Sequence, residues 1–163
     1  MCMDLREATT QDFEAIVRLV PTQDDLFLVY PRGKYPFSVE QVHSLAESRK
    51  ELTVAVEREV VIGFANLYDV EQGKWAFVGN VVVAREFRNR GVGRLLVSRM
   101  IQKAFDKYGV SEVRISVFND NTPALLLYAG MNFNPYAVEE RTNPSGMRVG
   151  LIHMRLGINE HMA

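Results

Sequence analysis

The stretch Phe87-Arg88-Asn89-Arg90-Gly91-Val92-Gly93-Arg94-Leu95-Leu96 sets two glycines and three arginines directly ahead of an apolar run. Apolar residues at Leu95, Leu96, Met100, Ala104 and Tyr108 recur at helical spacing, which predicts a helix over residues 94–108 closed by Gly109. The first main-chain N–H groups of such a helix lack partners within it and favour an anion. Gly91 and Gly93 allow close approach and let successive N–H groups turn inward. Arg88, Arg90 and Arg94 add positive charge around the same point, and a diphosphate suits that chemistry. A solvated turn whose glycines only shape a loop reads the same way, so a lone Gly-x-Gly is a weak signal. A second group strengthens it. In "FNDNTPALLLY", Asn121 and Tyr128 stand seven residues apart, close to two helical turns, and project from one side of a short helix or its entry. Tyr128 is there either a core aromatic with its hydroxyl at the rim or a group that holds a proton.

A mixed α/β pattern must position these groups. Residues 4–8 suit a short strand, after which Thr9 and Thr10 offer caps to a helix through Phe13, Ile16, Val17 and Val20, stopped at Pro21. Residues 30–36 are too rich in Pro and Gly for helix or strand. Ser38 and Gln41 have capping-box spacing and open a second helix reaching about Arg49. From Leu52 to Val83 the text reads as an antiparallel meander, turning at Arg58-Glu59 and Gln72-Gly73. The helix over 94–108 then forms the crossover between parallel strands at 81–83 and 113–118. Thr122-Pro123 reads as N-cap and first residue of a short helix, and strands near 136–141 and 147–156, joined by "TNPSG", complete the chain.

Composition narrows the classes. With 163 residues, 47% hydrophobic and 24% charged, the chain reads as one domain over residues 1–163 with ample material for a core. Nineteen basic against twenty acidic residues leave a net charge of -1, so no global field draws it to nucleic acid or an anionic membrane. Any anion is held locally. Cys2 is the single cysteine, which excludes an intramolecular disulfide and a cysteine-based zinc site and fits a reducing cytosol. The opening residues resemble neither a signal peptide nor a membrane span, so a cytoplasmic protein is expected.

The segment "VVVAREFRNRGVGRLL" resembles the acetyl-CoA loop of the GNAT superfamily of acyl-CoA-dependent N-acetyltransferases. That loop has an Arg or Gln, two residues, Gly, one residue, then Gly or Ala, and Arg88, Gly91 and Gly93 occupy those positions. "NTPALLLY" is similar to the family's Asn-x-x-Ala-x-x-Leu-Tyr pattern, carried here by Asn121, Ala124, Leu127 and Tyr128. The resemblance covers nearly the whole chain. It implies an α+β fold with a mixed, mostly antiparallel sheet of about six or seven strands, about four helices, and two parallel strands splayed at the CoA site. It also implies that the N–H groups of Arg88, Asn89, Arg90, Gly91, Val92, Gly93 and Arg94 hold the pyrophosphate. The edge of Val81, Val82 and Val83 would pair with the pantetheine arm, Asn121 would contact that arm, and Tyr128 would sit beside the thioester sulfur. Two departures stand out: Asn132 replaces the family's usual glycine after the tyrosine, and "WAFVGNVVV" lacks the carboxylate with which some relatives take up a proton.

The implied chemistry is attack of an amine on the thioester. An amine of pKa about 10.4 is only about one part in a thousand neutral near pH 7, so a side chain or water must accept its proton. Tyr128 would protonate the departing thiolate. The resemblance places the acceptor near "LFLVYPRGKYPF" and the central strands, with Tyr30, Tyr35, Trp75 and Asn80 as candidates. Aromatic residues there either wall an ammonium or pin the loop to the sheet. His43 reads as a surface residue and His153 as sheet packing. The expectation is an enzyme acetylating a primary amine on a small molecule or peptide, with acetyl-CoA as donor and no metal, as monomer or homodimer. A CoA-binding sensor that has lost transfer is the alternative. A mononucleotide fold is disfavoured, because its glycine fingerprint follows the first strand of a βαβ unit rather than a meander.

Overall fold

The computed structural model describes residues 2–162. In chain order the elements are β1 (Met3–Glu7), a 3-10 turn (Thr10–Asp12) leading into α1 (Phe13–Arg18), α2 (Gln23–Val29), α3 (Val39–Ser48), β2 (Lys50–Glu57), β3 (Val60–Glu71) and β4 (Trp75–Val83). A second 3-10 turn (Arg85–Phe87) precedes α4 (Val92–Tyr108), β5 (Glu112–Phe118), α5 (Thr122–Gly130), β6 (Asn134–Thr142), β7 (Arg148–Gly157) and α6 (Ile158–Met162). The strands form one seven-stranded sheet in the order β1-β2-β3-β4-β5-β7-β6, antiparallel except for β4 beside β5. This is the mixed, mostly antiparallel sheet that the family resemblance implies.

Two hydrophobic layers sandwich the sheet. On one face α4 buries Val92, Leu96, Val97, Met100, Ile101 and Ala104 against Ile62, Leu67, Val78 and Ile115. On the other, Phe13, Ile16, Leu26, Val42 and Leu45 from α1, α2 and α3 cover Val54, Phe64 and Val82. Gly109, in left-handed geometry at φ +60, closes α4 as its position after the last apolar residue predicts.

Several boundaries differ from the sequence reading. Helix α2, capped by the Thr22 hydroxyl on the Asp25 N–H, occupies residues the sequence leaves unassigned, since seven residues hold too little of a helical period to stand out. Helix α4 begins at Val92 rather than Arg94, because Gly91 already ends the loop. In α5 the N-cap position falls to Asn121 instead of Thr122. Six α-helices are found among the described residues, against the four expected.

Two irregularities shape the sheet's centre. Parallel pairing of β4 with β5 runs only from Trp75↔Glu112 to Val78↔Ile115, so beyond those positions the strands part. An extra β4 residue lies between Phe64↔Val82 and Asn66↔Gly79, forming a bulge, and Asn80 within it adopts φ +52. Its side chain accepts a hydrogen bond from Asn66 at 2.7 Å and donates to the Val29 carbonyl at 2.9 Å, tying the end of α2 to the strand.

The start of α1 is pinned by charge. The Asp12 carboxylate accepts two hydrogen bonds from Arg6, each 2.8 Å, and one from the Thr9 N–H at 2.7 Å. Arg6 first, then the Thr9 amide, outweigh burial and hold Asp12 down to about 2. A depressed folded-state pKa stabilises the fold above the unfolded value and stops doing so as pH falls through the folded one. Asp12→Asn is therefore expected to lose about 1–2 kcal/mol at pH 7, discounted for the partly exposed Arg6, with the difference shrinking between about pH 4 and pH 2. Urea unfolding across that range measures it.

Candidate active site

The parting of β4 from β5 opens a cavity of about 820 Å³ that continues from the start of α4 to the ends of α2 and β7. At one end stands the loop before α4. Asn89 at φ +64 and Gly91 at φ +83 are both left-handed, and this alternation points successive amides inward. A Cβ is disfavoured in Gly91's conformation, which explains a glycine there. Among the described residues, no main-chain N–H from Asn89 to Arg94 finds an acceptor within the protein. The Arg88 N–H, expected among them, instead donates to the Arg85 carbonyl at 3.3 Å, so six consecutive donors, those of residues 89–94, are left for a ligand.

Val81, Val82 and Val83 line the cavity beside these donors, on the β4 edge that β5 has left. Arg88, Asn89, Gly91, Val92, Gly93 and Arg94 also line it, and the Arg88 guanidinium folds back onto the Val83 carbonyl at 3.2 Å. Arg90 does not line it. Its guanidinium lies 5.2 Å over the Phe87 ring, because the left-handed residues on either side turn it outward.

Helix α5 supplies Asn121, Ala124, Leu127 and Tyr128 to the same cavity. Asn121 makes no side-chain cap, which leaves its amide free. The Tyr128 ring is buried and meets Phe133 edge-on at 6.2 Å. No protein group hydrogen-bonds its hydroxyl, yet no sealed side-chain polar atom among the described residues lacks a partner, so the hydroxyl opens on the cavity. Burial raises this phenol well above the ordinary tyrosine range and keeps its proton in place. Asn132 adopts φ +73 just after α5, the geometry in which asparagine best replaces glycine.

The far end of the cavity gathers Tyr30, Arg49, Tyr68, Ser116, Glu139 and His153. Tyr30 and Asn80 reach it as expected, although the Asn80 side chain is committed to Asn66 and Val29. Trp75 and Tyr35 stay outside. Trp75 sits at the opposite end of β4 under the Arg114 guanidinium, 4.6 Å from its ring, and Tyr35 is half exposed on its loop.

A hydrogen-bonded chain runs along one wall: Ser116 Oγ to His153 Nδ1 at 2.7 Å, and His153 Nε2 to Glu139 Oε1 at 2.8 Å. Arg141 at 3.1 Å, then His153, hold the Glu139 carboxyl below its usual range. An ionised carboxylate only accepts, so in the neutral ring Nε2 carries the proton and Nδ1 accepts from the Ser116 hydroxyl. His153 is therefore more than sheet packing. Sheet register assembles the chain, with Ser116 opposite His153 and Ala137, two residues before Glu139, also opposite it. Nothing in the local text of any of the three strands announces it.

The sequence model of the acetyltransferase (GNAT) family matches residues 12–133. The chain belongs to the acetyltransferase (GNAT) family. An N-alpha-acetyltransferase of Sulfolobus acidocaldarius is 29% identical over 136 residues, covering 79% of this chain and 78% of that protein. The L-amino acid N-acetyltransferase AaaT of Escherichia coli is 26% identical over 133 residues, covering 79% and 81%. The Salmonella typhimurium acetyltransferase yncA, solved with its cofactor acetyl-CoA, shares the fold with a TM-score of 0.81 at 20% identity, covering 100% of this chain and 98% of that one. As a GNAT enzyme the chain is an acyltransferase whose donor is acetyl-CoA. The orphaned amides beside a free strand edge suit a donor with a diphosphate and an amide-bearing arm. Among the described residues, no helix is long and apolar enough to cross a membrane.

Proposed function

We propose that this chain transfers the acetyl group of acetyl-CoA to the primary amine of a small molecule or peptide by direct attack on the thioester. The observation that carries this reading is the row of unpartnered amides from Asn89 to Arg94, five of whose six residues line the same cavity as Tyr128. The two curated relatives are named for N-alpha- and L-amino acid acetylation, which supports an amine acceptor.

When bound, acetyl-CoA supplies an acetyl thioester whose carbonyl the amine attacks and whose sulfur departs. The amides of residues 89–94 grip the diphosphate, with Arg88 and Arg94 beside them. The edge of Val81, Val82 and Val83 and the Asn121 amide orient the arm. Tyr128 holds the proton that the sulfur takes up on leaving. At the opposite wall the acceptor's ammonium gives a proton to Ser116 Oγ as the Ser116 proton passes to His153 Nδ1, and Glu139 stabilises the imidazolium. No carboxylate on β4 is then required.

Calorimetric titration with acetyl-CoA, followed by free-thiol release over a panel of amines, tests the reading. Micromolar binding and amine-dependent release are expected. Binding without release for any amine reduces the protein to a CoA-binding module.

A further inference from the structure

Arg49, at the junction of α3 and β2, brings a guanidinium to the acceptor end of the cavity with no carboxylate within ion-pair distance among the described residues. Its single protein hydrogen bond is a long one, 3.5 Å to Asn66 Oδ1. The guanidinium lies 4.2 Å over the Tyr68 ring and 5.9 Å from that of Tyr30, so π-faces bracket it. Gly79 makes room for it, since a Cβ there would meet Arg49 Nη1 and Tyr68 Cδ1, each at 2.6 Å. Burial works against this charge. A guanidinium has five donors in a fixed fork, and a partly buried cation that leaves most of them unused is complementary to an anion that arrives with a ligand.

The donor's diphosphate does not account for it. The unpartnered amides stand beyond Val83, whereas Arg49 packs at Gly79, the first β4 residue past the pairing with β5 and roughly 13 Å back along an extended strand. Of the carboxylates lining the cavity, Asp25 pairs with Arg85 at 3.1 Å and Glu139 with Arg141 and His153, while Asp69, whose charge favours the guanidinium, lies beyond ion-pair distance of it. Val81 and Val82 follow Gly79 within two or three residues, roughly 7–10 Å of strand. A guanidinium hydrogen bond of about 3 Å and an attack distance of about 3–3.5 Å leave room only for a short spacer between anion and amine.

Resting on the transferase reading above, we propose that Arg49 anchors the carboxylate of the acceptor, and that the substrate class is amines bearing a carboxylate a carbon or so away, α-amino acids being the simplest. Planar bidentate pairing with the carboxylate sets the molecule's orientation and aims its amine toward Ser116 and the strand edge. A peptide N-terminus, whose neighbouring carbonyl is an uncharged amide, lacks this anchor.

The test titrates the wild-type enzyme with CoA present, using the common L-amino acids and, in parallel, their carboxamides, and follows thiol release with the same compounds. At least one acid is expected to bind about 30-fold or more tightly than its carboxamide. In Arg49→Met, acid and carboxamide should bind alike while acetyl-CoA affinity is unchanged. Equal binding of acids and carboxamides to the wild type, or binding of no acid, overturns the anchor. Failure of acetyl-CoA itself to bind overturns the transferase reading instead, and the acid–carboxamide comparison repeated without CoA still reads Arg49.

Discussion

Tyr128→Phe lowers kcat about 10²–10³-fold and leaves the affinity for acetyl-CoA within about twofold. The ring packs against Phe133 inside the core, and phenylalanine preserves that contact, so the thermal midpoint should hardly move. What is lost is one oxygen and its proton, at a position with no protein partner. The raised pKa keeps the wild-type phenol protonated throughout the assayable range, as a donor to a departing thiolate requires. Steady-state thiol release and calorimetry on the same preparations separate the two quantities. Unchanged turnover removes the phenol from the mechanism and leaves it a core residue.

The second large effect is expected at His153. His153→Gln retains a polar side chain but cannot take up a proton, and kcat should fall about 10²-fold with acetyl-CoA binding intact. Ser116→Ala should cost about as much, and the Ser116/His153 double variant little more than either alone, since linked groups act as one unit. Glu139→Gln should cost less, because that carboxylate is partly exposed and shared with Arg141. An acceptor amine already neutral at the assay pH should recover most of the His153 loss, which a purely structural histidine would not allow. Loss of acetyl-CoA affinity in step with kcat would instead mark the chain as scaffolding.

The donor half of the site is legible in the sequence because it is contiguous. Gly91 and Gly93 shape one loop, and Asn121, Ala124, Leu127 and Tyr128 share one short helix, so spacing alone says they face together. Even there, order along the chain does not fix direction: Arg90, amid cavity-lining neighbours, turns to Phe87. The acceptor half is scattered. Arg49, Tyr68, Ser116, Glu139 and His153 come from five separate places in the chain and meet only through sheet register and the packing of α3. Asn80 shows the limit of strand alternation, because one extra residue with positive φ draws its side chain into a clasp with Asn66. Trp75 shares β4 with Val82, but the two stand seven positions apart, roughly 23 Å along an extended strand and too far for one ligand-facing patch.

The short contact between β4 and β5 has a mechanical meaning. Four paired positions join these strands, fewer than join any other neighbours in the sheet. The molecule is accordingly two plates, β1 to β4 and β5 to β7, meeting along a narrow hinge line that α4 spans. Arg49 and the unpartnered amides ride on the first plate, Ser116, His153 and Glu139 on the second. The alignment of the groups proposed to grip the reactants with those proposed to move the amine's proton therefore rests on this four-rung ladder and on the core that α4 packs across it.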